Sequence, residues 1–202
     1  GGGSGAGAAV TKMAESAQAL YAAMAFNVLK RQITNKDLTR ENFVKAASTA
    51  DTDESFDNMV NKLPDDWVNS SIAGANALYK MYGGRGKYTF HRGSKTVSLI
   101  ESVFTSINKQ EKAFGNLNKW SPADIYMISS SSAVRNITEE RTLKGLNEKM
   151  FEAIKKNEVI GVSLKKNNSG HAKISKKNFP TDRKITSASF RGVTTNADAM
   201  DG

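Results

Sequence analysis

Four side chains carry the chemical interest of this sequence. Asp124 enters an apolar stretch in "KWSPADIYMI", just after a Ser-Pro turn and between Ala123 and Ile125. Ser163 and Lys165 are separated by one residue in "VIGVSLKK". On a strand they share one face with Gly161, while Ile160, Val162 and Leu164 fill the other. A face offering glycine, serine and lysine is either solvated or lines a site. Glu15 lies in a mostly apolar helix and, at about 100° per residue, falls on an apolar line. A carboxylate facing an interior needs a partner, a proton or a metal ion. An aspartate, a helix glutamate and a strand lysine together suit a hard divalent cation and a water beside a phosphodiester. The carboxylates supply oxygen ligands to Mg²⁺ (or Mn²⁺), and the metal offsets charge on the phosphate. The lysine positions the attacking water or helps to deprotonate it. The alternative for Glu15 is a structural ion pair.

The elements that must position these groups follow from periodicity. "AAVTKMAESAQALYAAMAFNVLKRQ" is a helix, with Val10, Met13, Ala17, Leu20, Met24 and Val28 at helical spacing. A second apolar line runs through Ala19, Ala22, Phe26 and Leu29, and the polar stripe is narrow: Lys12, Ser16, Asn27 and Lys30. This pattern predicts a buried helix. The following segment predicts short helices and turns, with starts at "TRENF" and at Pro64 before Asp65 and Asp66. The glycines of "YGGRGK" end that region. "KYTFHRG" and "ADIYMIS" are strands, and "TVSLIESVFTSINKQ" is helical. "EERTLKGLNEKMFEAIKKN" is a helix with Leu143, Leu146, Met150 and Ile154 in line. "EVIGVSLKK", "HAKIS" and "ITSASFRGVT" are strands, and the serine run 129–132 is a loop. The expected fold class is α/β or α+β, a small mixed β-sheet flanked by helices.

Charge is unevenly placed. The chain of 202 residues carries a formal net charge of +9. Ten lysines and arginines lie between Lys155 and Arg191 against Glu158 and Asp182, so nearly all the excess sits there. Such a tract attracts polyanions. Its candidate contacts to nucleic acid are Lys166, His171, Lys173, Lys176, Lys177, Arg183 and Lys184. An anionic membrane surface fits less well, because no basic amphipathic helix carries the charge.

Several motifs fail on inspection. Asp51, Asp53, Ser55 and Asp57 have calcium-loop spacing, but Phe56 stands at the glycine position and Lys62 at the bidentate glutamate position. "YGGRGK" is no phosphate loop, since Met81 replaces the leading glycine and Tyr88 the final Ser/Thr. It remains a basic turn able to touch phosphate. Ser163 matches neither the helix start of an S-x-x-K serine nor a nucleophile elbow, where Lys165 would be glycine. Without cysteine there is no disulfide scaffold or thiolate metal site, and two histidines argue against a histidine zinc centre. Trp67 and Trp120 suit core or turn packing.

"PADIYMI" followed by "GVSLKK" resembles the active-site strands of the PD-(D/E)XK nuclease superfamily, and more loosely nuclease-like proteins of tailed phages. The resemblance covers residues 9–31 and 120–166. It implies a restriction-endonuclease-like core with a helical insertion at about 33–84 and metal-dependent hydrolysis of phosphodiester bonds in DNA. Asp124 would be the principal metal ligand, Lys165 the catalytic lysine, Glu15 the helix carboxylate and the Leu164 carbonyl a further metal ligand. Ser163 stands where an acid is usual, which removes one metal charge.

Composition is that of an ordinary soluble protein, 39% hydrophobic and 24% charged. The Gly-rich residues 1–8 suit a leader or linker, 9–195 a single domain, and 196–202 a tail or truncated end. Neither a secretion leader nor a membrane span stands out. The expected setting is the cytoplasm of a host cell or a virion, with nucleic acid as partner, no membrane, and a homodimer or virion partners as further options. Two other function classes compete with the nuclease: a non-catalytic DNA-binding protein that retains the fold, and a structural virion or packaging protein.

Overall fold

A computed structural model describes residues 5–115, 120, 123–165, 173–177 and 192–196, with side chains as far as residue 163. Helix α1 (Gly5–Ala23) is alanine-rich, which favours helix at every step. It begins inside the glycine-rich stretch that suits a leader. It continues as a π-helical segment, Met24–Leu29, which ends at Lys30 in the left-handed conformation (φ 54°). As the apolar pattern requires, this helix is buried, from Ser16 through Phe26 without a break. Ser16, expected on the polar stripe, is instead fully buried. Its side chain is small enough to sit in close helix packing.

Short helices follow: α2 (Arg40–Ala47), α3 (Phe56–Asn61) and the long α4 (Asp65–Tyr82). Thr39 and Ser55 cap α2 and α3, accepting from Asn42 N–H at 3.3 Å and Asn58 N–H at 3.2 Å. Helix α4 starts after Pro64, as expected, and packs along α1. At that contact a Cβ on Gly74 would collide with the Gln18 amide, whose Nε2 donates to the Ser71 carbonyl at 3.0 Å. Asp51 belongs to a short strand, β1 (Ala50–Thr52), in a region where helices and turns were expected. Three residues are too few for a period to show.

The second half supplies β2 (Thr89–Arg92), α5 (Lys95–Glu111), β3 (Ile125–Ile128), α6 (Ser131–Thr138), α7 (Leu143–Lys155), β4 (Val159–Lys165), β5 (Lys173–Lys177) and β6 (Gly192–Asn196). The serine run is therefore only partly a loop. The Ser130 hydroxyl accepts from Ala133 N–H at 3.1 Å and starts α6. The same chemistry starts α5 at Ser94 and α7 at Thr142.

The strands form one mixed sheet in the order β1-β2-β3-β4-β5-β6. β1 and β2 are parallel and the remaining pairs antiparallel. Helices flank both faces, so the α/β class with a small mixed sheet is correct. Phe90, Ile125, Met127, Ile160 and Val162 share a core with α1 and α4. Tyr126, Ile128 and Val159 share a second core with α5, α6 and α7. The β4 face of Gly161 and Ser163 is thus covered: Gly161 is buried and only Ser163, at the lip, is half-buried. Trp120 is fully buried, stacked on Phe104 at 4.4 Å between ring centres. Among the described residues no helix is long and apolar enough to cross a membrane.

Candidate active site

Strand register assembles one end of the sheet. In the antiparallel β3–β4 pair Ile125 faces Val162, and Asp124 N–H donates to the Val162 carbonyl at 2.9 Å. Asp124 and Ser163 are thereby neighbours, and the Ser163 hydroxyl donates to Asp124 Oδ2 at 3.0 Å. Because β2 also runs antiparallel to β3, its last residue, Arg92, arrives at the same end.

Helix α1 lies across β2 and brings Glu15 to Arg92. The guanidinium Nε donates to Glu15 Oε2 at 2.9 Å, and Nη2 lies 2.9 Å from the same oxygen. Its third nitrogen, Nη1, donates to both oxygens of Asp53, at 2.9 and 3.1 Å. Asp53 follows β1, and Lys12 reaches it at 3.9 Å. Behind it, Gly93 has φ 62°, and a Cβ there would fall 2.5–2.8 Å from the Asp53 carboxylate. Gly93 is thus fixed twice, by its backbone angle and by the carboxylate it backs.

Burial pushes the Glu15 carboxyl above its ordinary value; the Arg92 hydrogen bond opposes this, and the nearby Asp124 charge pushes it further up. Glu101, from α5, is also raised by burial, with Arg92 opposing. Glu15 therefore takes a basic side chain as its partner, and it lies within electrostatic reach of Asp124.

Of the residues singled out from sequence, the fold brings together Asp124, Ser163 and Glu15. Lys165 sits two residues beyond Ser163 on β4, opposite Lys173 of β5, and Leu164 lies between them opposite Ile174. Lys176 and Lys177 are further along β5. The side chains of these strand residues, and all of Lys166, His171, Arg183 and Lys184, lie outside the described residues. Sequence reasoning missed Arg92, Asp53 as its partner, and Glu101. The available signal was Arg92 closing the "TFHR" strand just before a glycine.

Among the described residues no three His, Asp or Glu side chains form a group able to hold a metal ion. The donors present are nevertheless hard oxygens: the Asp124 carboxylate and that of Glu15, whose Arg92 contacts both fall on Oε2. Mg²⁺ commonly takes one or two carboxylates and completes its shell with water and substrate phosphate. In type and number the two carboxylates match the donors of that mode. Comparison with protein-family models, curated proteins and solved structures returns no match.

Proposed function

We propose that this chain is a metal-dependent phosphodiesterase acting on nucleic acid, with DNA as the first substrate to test and a nuclease of the PD-(D/E)XK type as the closest description. The observation that carries the reading is the Ser163–Asp124 hydrogen bond at the sheet end, with Glu15 in electrostatic reach. Asp124 and Glu15 would hold Mg²⁺ or Mn²⁺, with the Leu164 carbonyl as a further ligand. The metal, when bound, supplies Lewis-acid stabilisation of the scissile phosphate.

The chain's own residues do the rest. Ser163 fixes Asp124 by donating to one of its oxygens. Arg92 anchors Glu15 to β2 and lowers the repulsion between two nearby carboxylates. Lys165 would orient or deprotonate water, and the basic segment around Lys166, His171, Lys173, Lys176, Lys177, Arg183 and Lys184 would hold the strand backbone. The proposed setting is a host cytoplasm or a virion, with a second copy of the chain or virion components as partners.

One observation favours a second reading. Arg92 already engages Glu15, and Ser163 provides no metal charge, which suits a non-catalytic DNA-binding or packaging protein. A cleavage assay separates the two, using plasmid, linear duplex, single-stranded and branched DNA with Mg²⁺, Mn²⁺ or EDTA. Cutting that needs metal and vanishes in Asp124→Ala and Lys165→Ala is expected. Salt-sensitive binding without cutting, unchanged in both variants, would replace the enzyme reading with the binding one.

A further inference from the structure

A cavity of about 590 Å³ opens at the opposite end of α1 and β2 from the Glu15–Arg92 pair. Phe26 is eleven residues beyond Glu15 on the same helix, so the two ends are about 16 Å apart. The cavity lies where the π-helical segment, the end of α4 and the "YGGRGK" turn meet. π-Helical turns recur at functional sites, because the inserted residue re-aims side chains. Here Asn27 is aimed inward, its amide donating to Thr49 Oγ1 and to the Tyr88 carbonyl, both at 2.9 Å.

The wall is aromatic. Phe26 meets Tyr79 and Tyr88 edge-on, with ring centres 5.3 and 6.0 Å away. Both tyrosine hydroxyls are engaged inside the protein: Tyr79 donates to the Lys30 carbonyl at 2.6 Å and Tyr88 to the Asn157 carbonyl at 2.9 Å. The rings are therefore held in place: Phe26 and Tyr88 are buried and form the floor, and the half-buried Tyr79 offers ring surface to the opening. The rim is cationic. Lys30 and Lys87 line the opening, both exposed, and among the described residues no acidic side chain lines it. Arg85, in the same turn, is in electrostatic reach of Tyr88.

An aromatic wall under a ring of positive charge suits a flat ring that carries a phosphate. The volume lies within the range of small-molecule pockets, about 300–1,000 Å³, and exceeds the needs of a bare phosphate. We propose that this cavity binds a nucleotide, its base against Tyr79 over the floor of Phe26 and Tyr88 and its phosphate at Lys30 and Lys87. The nucleotide comes either free or as one unit of a nucleic-acid strand, the same chemistry in both cases.

The test is calorimetric titration of the Asp124→Ala protein in EDTA with dAMP, deoxyadenosine, inorganic phosphate and a twelve-nucleotide single strand. These conditions remove any cleavage, so failure here leaves the phosphodiesterase reading untouched. Two variants are needed. Lys30→Glu with Lys87→Glu reverses the rim charge on exposed side chains. Gly86→Ala adds a methyl at the entrance; a Cβ there meets the Tyr88 ring at 3.6 Å and Ser129 at 3.9 Å, ordinary contact, so the fold tolerates it.

The expected result is that dAMP binds more tightly than deoxyadenosine or phosphate, and that both variants weaken it at least tenfold with unchanged melting temperature. An oligonucleotide that binds much tighter than dAMP and is weakened by both variants identifies the strand as the source. Equal affinities identify the free nucleotide. Absence of dAMP and oligonucleotide binding, or binding that both variants leave intact, overturns the proposal.

Discussion

Arg92 joins Glu15 to Asp53: Nε and Nη2 meet one oxygen of Glu15 at 2.9 Å, while Nη1 donates to both oxygens of Asp53. The three residues come from α1, β2 and the end of β1, so one side chain ties the buried helix to the sheet edge. Both Glu15 and Arg92 are largely shielded, at 18% and 22% side-chain exposure. Removing the cation leaves two carboxylates facing each other beside Asp124. Arg92→Ala is expected to destabilise the fold by about 2–3 kcal/mol, below the full value for a buried pair because water still reaches it. Arg92→Lys recovers only part, since a lysine lacks the planar fork. Urea midpoints measure both, and equal stability of all three proteins would show that the network does not hold the helix.

Gly93 is the hidden partner of that network. Gly93→Ala places a methyl against the Asp53 carboxylate at a backbone angle that L-residues rarely adopt. The expected loss is about 1–2 kcal/mol. Gly84 also has positive φ, 75°, but a Cβ there meets nothing within 4 Å. Gly84→Ala should therefore be the milder substitution, and thermal melts of the pair isolate the steric part.

Ser163 donates to Asp124, and a hydrogen bond to a charged acceptor contributes about 1.5–3 kcal/mol. If Asp124 is the principal metal ligand, Ser163→Ala should lower cleavage by roughly ten- to a hundredfold. Asp124→Ala should abolish it. Single-turnover rates at saturating Mn²⁺ make the comparison, and a Ser163→Ala rate equal to that of the unmodified chain removes the positioning role.

His91 is buried, its Nε2 at 2.6 Å from Thr89 Oγ1 and its Nδ1 at 2.9 Å from Ser94 Oγ. Burial holds its pKa below the ordinary 6.5, with Asp51 opposing. The folded state therefore favours the neutral ring, and stability from this group is full above pH 6.5 and lost as pH falls toward the lowered folded value. Glu15 acts oppositely: its raised folded pKa means the fold gains stability as pH drops and the carboxyl takes its proton. Denaturant midpoints at pH 7 and 5 should thus fall less on acidification in His91→Asn than in the unmodified chain. A larger fall in the variant would reverse the sign assigned to His91.

Asn147 accepts from Trp120 Nε1 at 2.7 Å inside the second core. Asn147→Leu removes the acceptor of a buried indole N–H, at about 1–3 kcal/mol. A double-mutant cycle with Trp120→Phe should give a coupling of about 1 kcal/mol or more. Additive losses would mean that the bond contributes nothing of its own.

The sequence by itself determined the elements whose signals are local. Periodicity marked α1 and α7; the residues "TRENF" and Pro64–Asp65–Asp66 marked two helix starts; the apolar runs marked β3 and β4. It also singled out Glu15 as an interior carboxylate, because one charge on an apolar helix line is visible without a fold. Tertiary structure alone decided its partner. Glu15 and Arg92 are 77 residues apart, and only the crossing of α1 over β2 places them together. The same holds for β1, too short to show a period, and for α6, whose serines suit loop and helix cap equally until Ala133 turns its N–H to Ser130. The β4 face bearing Gly161 and Ser163 belongs to this group as well. Strand alternation names two faces, but only the helices packed on each side decide that one closes over a second core and leaves Ser163 at its lip. Local backbone preference and side-chain period are properties of a few residues, whereas register and packing are set by surfaces that the chain brings together only on folding.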